Sequence, residues 1–173
     1  MPYISELIGK PVADVDGIRV GYLRDIIAGA RGSMAHPRVV AVEVKRAAGT
    51  ALVPFSEVAV LVAPAIPLLH TLDSITLYEP APQDLFLVRD VLDQQIIDVN
   101  DVRVVRVNDL ELTRVNGDFY LANVDIGSMG LLRRLGLLRR PDRKPRRVTP
   151  GQPTGIISWD DVEPISKNRQ LRL

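Results

Sequence analysis

The sequence predicts an all-β protein made of two tandem copies of one small barrel-like unit, with one short helix in the second copy. Three observations lead there. Residues 4–26 lie without a gap on residues 88–110, so that Asp14 meets Asp98, Val15 meets Val99, Arg19 meets Arg103, Val20 meets Val104 and Asp25 meets Asp109. The match resumes with residues 39–44 on 121–126 and 51–58 on 155–162, which is the signature of a repeated supersecondary unit. The apolar content, 46% of the chain, is aliphatic and rich in valine, with only 5% aromatic residues, a balance that suits short strands. Residues 1–82 form the first repeat in this reading, and residues 83–173 the second, with a basic insertion at 127–153.

Each element follows from local pattern. Ser5–Gly9 reads as a turn and Pro11–Ala13 as a strand. Asp14-Val15-Asp16-Gly17 reads as a tight turn, because Asp caps its own backbone and Gly reaches positive φ. Arg19–Ala28 is the returning strand, Gly29–Pro37 a loop and Val39–Lys45 a clearly alternating strand. Ala51–Phe55 and Val58–Val62 complete the first unit. Prolines at 64, 67, 80 and 82 make 63–83 an irregular connector with room for one strand at Ser74–Tyr78. The second unit repeats the order: a strand at Gln95–Asp98, a turn at Asn100–Asp101 and a long strand over Arg103–Arg114. An Asn116–Gly117 hairpin follows, with Phe119–Ile126 returning. Ile156–Trp159 and Val162–Ile165 close the unit. Trp159 aligns with Phe55, so both are expected to plug their cores.

Composition narrows the function. The chain has no cysteine, which excludes disulfides, thiolate metal sites and cysteine nucleophiles and fits a reducing compartment. Glu6 and Lys10 interrupt the N-terminus before any signal-like apolar run. The longest uncharged stretch, 58–72, is too short to span a bilayer and contains two prolines. A cytoplasmic protein that this chain does not anchor across the membrane is expected.

Net charge is +1, but the distribution is polarised. The insertion holds Arg133, Arg134, Arg139, Arg140, Arg143, Lys144, Arg146 and Arg147 against the single acid Asp142, a net of +7, so the remainder sums to −6. Residues 84–126 alone contribute −5. Ser128–Leu138 reads as a short helix with Leu131, Leu135 and Leu138 on one face, ended by Pro141. Like charges at this density gain little without an acidic counterpart, so these eight side chains are the candidate partner-binding residues and an acidic protein surface is the expected partner. Anionic lipid and nucleic-acid phosphate are the competing readings. Nucleic acid is disfavoured because no aromatic side chains interleave with the arginines. A solvated helix face is the bland alternative.

Catalytic patterns are missing. His36 and His70 sit beside or near prolines in loops with no metal-ligand spacing. No G-x-S-x-G, phosphate loop or dinucleotide fingerprint occurs. Asp14, Asp16 and Asp25 fail as a calcium loop, since Arg19 stands where glycine is required. Asp160, Asp161 and Glu163 form an acidic cluster whose counterpart in the first repeat is Ser56-Glu57-Val58, so a strand-end turn is the simpler reading. The expectation is a non-enzyme with no cofactor and no metal, open to self-association.

The stretches LIGKPVADVDGIRVGYLRDI (7–26) and LVPFSEV (52–58) resemble the PRC-barrel domain, the small β-barrel of the photosynthetic reaction-centre H subunit and of the C-terminal half of the ribosome maturation factor RimM. The second copy departs at three glycines, where Gly9, Gly17 and Gly21 become Asp93, Asp101 and Val105. Residues 87–112, 125–136 and 156–165 further resemble the N-terminal tandem PRC region of proteins related to MgtE-type magnesium transporters. That resemblance implies a cytosolic regulatory or assembly module at the inner face of the membrane. It also implies a longer polypeptide, with an MgtE N-domain and CBS domains downstream as the acidic partner. No catalytic residue and no metal ligand carries over. Similarity to RimM implies the alternative, binding to RNA or a ribosomal protein.

Overall fold

The computed structural model describes residues 1–29, 36–127 and 155–164. One helical turn, α1 (Ile4–Leu7), opens the chain, and the Glu6 carboxylate accepts the Tyr3 N–H at 3.1 Å. Gly9 at φ 86° then turns the backbone into β1 (Pro11–Ala13), a conformation glycine adopts without a Cβ penalty. The expected Asp turn is present. Asp14 Oδ1 accepts the N–H groups of Asp16 and Ile18, both at 3.0 Å, and delivers the chain into β2 (Arg19–Gly29). β3 (Arg38–Arg46) and β4 (Gly49–Pro54) continue the antiparallel meander, and a 3-10 turn at Phe55–Glu57 ends it.

The connector is mostly irregular, as its prolines dictate. It contains β5 (Ile66–Pro67), which lies parallel to β1, and a 3-10 turn at Leu72–Ser74. The expected strand at Val58–Val62 is reduced to a single bridge between Val58 and Leu68, and none forms at Ser74–Tyr78. Prolines 64 and 67 offer no N–H to a ladder, which limits what that stretch can pair with.

The second half repeats these elements. β6 (Leu85–Phe86) leads into a π-type turn at Leu87–Val91, then β7 (Gln95–Asp98), β8 (Arg103–Arg106), β9 (Asp109–Val115) and β10 (Asp118–Asp125). β11 (Ile156–Ser158), a 3-10 turn at Trp159–Asp161 and β12 (Val162–Pro164) follow. The 3-10 turns Phe55–Glu57 and Trp159–Asp161 occupy matching positions in the two copies. Two details differ from expectation. The long strand expected over Arg103–Arg114 is broken between β8 and β9, because the Val107 N–H goes to Gln94 O while Asn108 bonds Asp125 O and Gly127 O. The positive-φ residue of the Asp98 turn is Val102, at φ 49°, whereas the first copy uses Gly17 at φ 78°.

The protein is all-β, as expected, with few helical residues. Two separate barrels, however, are not resolved among the described residues. Strands of both halves join in one nine-stranded sheet through β3 and β10, which meet at Arg38 and Tyr120, beside a three-stranded sheet of β12, β7 and β8. One hydrophobic core runs through both halves. It contains Ile4, Leu7, Leu23 and Ile26 from the first, and Leu87, Leu110, Leu112 and Leu121 from the second. Domains of about 80 residues bury little surface alone, and this shared core offsets that deficit. Phe55 and Trp159 pack at its margin, both only partly buried. Phe55 meets Phe119 edge to face at 5.9 Å across the halves, an arrangement worth about 1 kcal/mol beyond area burial.

Candidate interaction surface

The halves are joined by reciprocal contacts. Asp25 on β2 accepts the N–H groups of Val88 (2.8 Å) and Arg89 (3.0 Å), which open the second half's helical turn. Asp109 on β9 accepts the N–H of Ser5 at 3.2 Å and its hydroxyl at 2.5 Å, at the opening of α1. Asp25 and Asp109 are counterparts in the repeat, and so are Ser5 and Arg89. Each half's opening segment is thus capped by the other half, the pattern of a two-fold interface. The same exchange extends to backbone pairing. β6 lies along β2, and Tyr3 bridges Glu111 while Pro2 O accepts the Leu112 N–H at 2.9 Å.

At the β3–β10 junction, His36 reaches across with Nδ1 2.8 Å from Leu121 O and Nε2 3.2 Å from Asp160 Oδ2. Arg38 pairs with Asp118 at 3.4 Å. His36 therefore links the halves, and His70 pairs with Glu57 at 2.6 Å on the surface. The sequence places both histidines in loops without metal-ligand spacing, and only the fold shows which residues they meet. No group of three or more His, Asp or Glu with metal-holding geometry exists among the described residues.

Electrostatics of the folded body are one-sided. The described residues include twenty Asp or Glu and ten Lys or Arg. Every buried charged side chain among them is an acid: Asp14, Asp25, Asp84, Asp98, Asp109, Glu111 and Asp125. Asp98 is held by Arg103 at 3.3 Å and caps its own turn. Asp25 is 2% exposed, and burial raises its pKa above the ordinary value, with Glu43 adding to the rise and the backbone donors opposing it.

The eight candidate partner-binding residues, Arg133 to Arg147, and the helix expected at Ser128–Leu138 lie outside the described residues. Their point of attachment is described. β10 and β11 pair at Asn123–Asp125 with Ile156–Ser158, and Ile126 N–H and Gly127 N–H both reach Gly155 O. Gly127 and Gly155 approach so closely that a Cβ on Gly155 would lie 2.8 Å from the Gly127 Cα. The two ends that flank residues 128–154 are therefore held side by side at Gly127 and Gly155. In the first half the equivalent strands are closed by the short Arg46–Gly49 turn.

A second surface feature was not legible in the sequence, because three distant segments assemble it. A groove of about 440 Å³ is lined by Met1 and Pro2, by Phe55 and Val58–Val62, and by the β9–β10 hairpin at Thr113, Arg114, Gly117 and Phe119.

The curled sheet of short strands defines a small β module. Comparison of the sequence with known families identifies a PRC-barrel domain at residues 1–64. No curated protein matches the chain. Among the described residues, no helix is long and apolar enough to cross a membrane.

Proposed function

We propose that this chain is a non-catalytic protein-interaction module whose basic segment 127–153 docks an acidic protein surface. The observation that supports it best is the contrast of charge with position. A body whose described residues hold twice as many acids as bases carries a net +7 segment attached at a single point, Gly127 beside Gly155. Strongly basic side chains attached to an acidic body gain most from an acidic partner. In this reading the module is cytosolic and belongs to an MgtE-related polypeptide. Its partner is the downstream N-domain and CBS region, and its role is regulatory or in assembly.

The test replaces Arg139, Arg140, Arg143, Lys144, Arg146 and Arg147 together with Ser and measures binding to a purified MgtE-type N-domain–CBS fragment across a salt series. The expected result is weaker binding and a shallower salt dependence. Unchanged affinity at every salt concentration removes the electrostatic docking. RNA or ribosomal protein is the alternative partner, by analogy with the maturation factor. Retention of the same chain on RNA at low salt, lost steeply as salt rises, would favour it. The acidic body weighs against it.

A further inference from the structure

We propose that the outward face of β2 at Arg19 and Tyr22, with Lys45 beside it on β3, is a docking site for an acidic protein segment. It is separate from the basic segment 127–153 and does not depend on that segment finding a partner. Tyr22 and Lys45 are direct partners across β2 and β3, so their side chains leave the sheet on the same side. The Arg19 guanidinium lies 5.0 Å from the Tyr22 ring centre, a stacking that keeps the cation beside the phenol. All three side chains are exposed. Among the described residues no carboxylate pairs with Arg19 or Lys45. Glu43, two residues before Lys45 on β3, is engaged by Arg24 at 3.7 Å.

The second half shows what these positions look like when they are neutralised. Arg103, the counterpart of Arg19, is held by Asp98 at 3.3 Å and by Asp101 at 3.0 Å. Arg106, the counterpart of Tyr22, is held by Asp93 at 3.3 Å. The first half has Gly9 and Gly17 where the second has Asp93 and Asp101. Its remaining acid, Asp14, turns Oδ1 to the N–H groups of Asp16 and Ile18 instead. Equivalent strand positions are thus neutral in one half and cationic in the other.

The surroundings select the occupant. Val15 and Ile18, at the tip of the same hairpin, stand 58% and 63% exposed. Tyrosine and arginine beside uncovered aliphatic side chains make up the centre of a protein interface, and a guanidinium fork with a neighbouring ammonium calls for carboxylates. A long polyanion such as RNA would have to run over the rest of the body, whose described residues hold twenty acids against ten bases. A short acidic stretch of protein reaches the patch without meeting that repulsion.

The test titrates hexaglutamate into the isotope-labelled full chain at low salt and follows the backbone amides by NMR. Saturable shifts are expected at Arg19, Tyr22 and Lys45, with the affinity read there lowered roughly tenfold in the Arg19→Gln/Lys45→Gln double variant. Gly9→Asp introduces a carboxylate beside the patch at a position where an added Cβ meets nothing within 4 Å and where the counterpart Asp93 already takes φ 64°. It should weaken binding about threefold. Arg106→Gln, in the neutralised half, should leave the affinity at the patch unchanged. Shifts confined to 127–153 would overturn the proposal while leaving the basic segment's docking intact. So would unchanged affinity in both the double variant and Gly9→Asp, or saturation of the same amides by hexauridylate at lower concentration than by hexaglutamate.

Discussion

Asp25 and Asp109 lie 84 positions apart in sequence, and each caps the opening turn of the opposite half. Each also accepts the N–H of its following residue, Ile26 at 2.7 Å and Leu110 at 2.9 Å. A carboxylate that accepts several backbone donors in a dry site stabilises them strongly. Removing it leaves each donor without a partner.

Asp109 is fully buried, so Asp109→Ala should destabilise the protein by about 3 kcal/mol, near the upper range for orphaning buried donors. Ser5→Ala, which removes only the hydroxyl, should cost about 1–2 kcal/mol. Urea unfolding of both single variants and the double variant checks this. The double should cost clearly less than the sum, because the two side chains share one contact. Strict additivity would show that Ser5 and Asp109 do not act together.

The pH dependence follows from Asp25. Its pKa is raised in the folded protein above the ordinary 3.8, so between those values the folded state binds more protons than the unfolded state. Stability from this group is therefore fully present below pH 3.8 and is lost as pH rises through the folded-state pKa. Asp25→Asn should remove that component. Urea midpoints measured from pH 4 to pH 7 should fall more with rising pH in the wild type than in the variant, after the other carboxylates cancel in the difference. Parallel profiles would place the raised proton affinity elsewhere.

The repeat made much of this legible. Identical Asp14/Asp98 and Asp25/Asp109 pairs fixed which residues are equivalent, and the Asp14 turn and Asn116–Gly117 hairpin appear where their local chemistry put them. Equivalence does not say which half a residue serves, so the exchange of opening segments could not be read. The break at Asn108 was hidden by an unbroken apolar alternation, since the deciding partners, Asp125 O and Gly127 O, lie far along the chain. The charge of segment 127–153 was plain from composition. The Arg114 groove was not, because its walls are apolar residues that individually read as core.

Gly21 explains one of the three glycines missing from the second copy. A Cβ there would collide with Lys45 O and lie 2.8 Å from Val44 Cγ1, because β3 continues past Val44 and crosses closely over β2. At the counterpart, Val105, β10 has already ended at Asp125 and the chain turns away toward Gly127. A valine fits and packs partly buried against the core. Gly21→Ala should therefore cost about 2–3 kcal/mol, as overpacking against backbone does, whereas Val105→Ala should cost about 1 kcal/mol from lost apolar contact. Thermal or urea unfolding of the two variants side by side measures the asymmetry. Tolerance of alanine at Gly21 would mean that β3 is not held against β2 at Lys45, and the structural reason for the divergence of the two copies would fall with it.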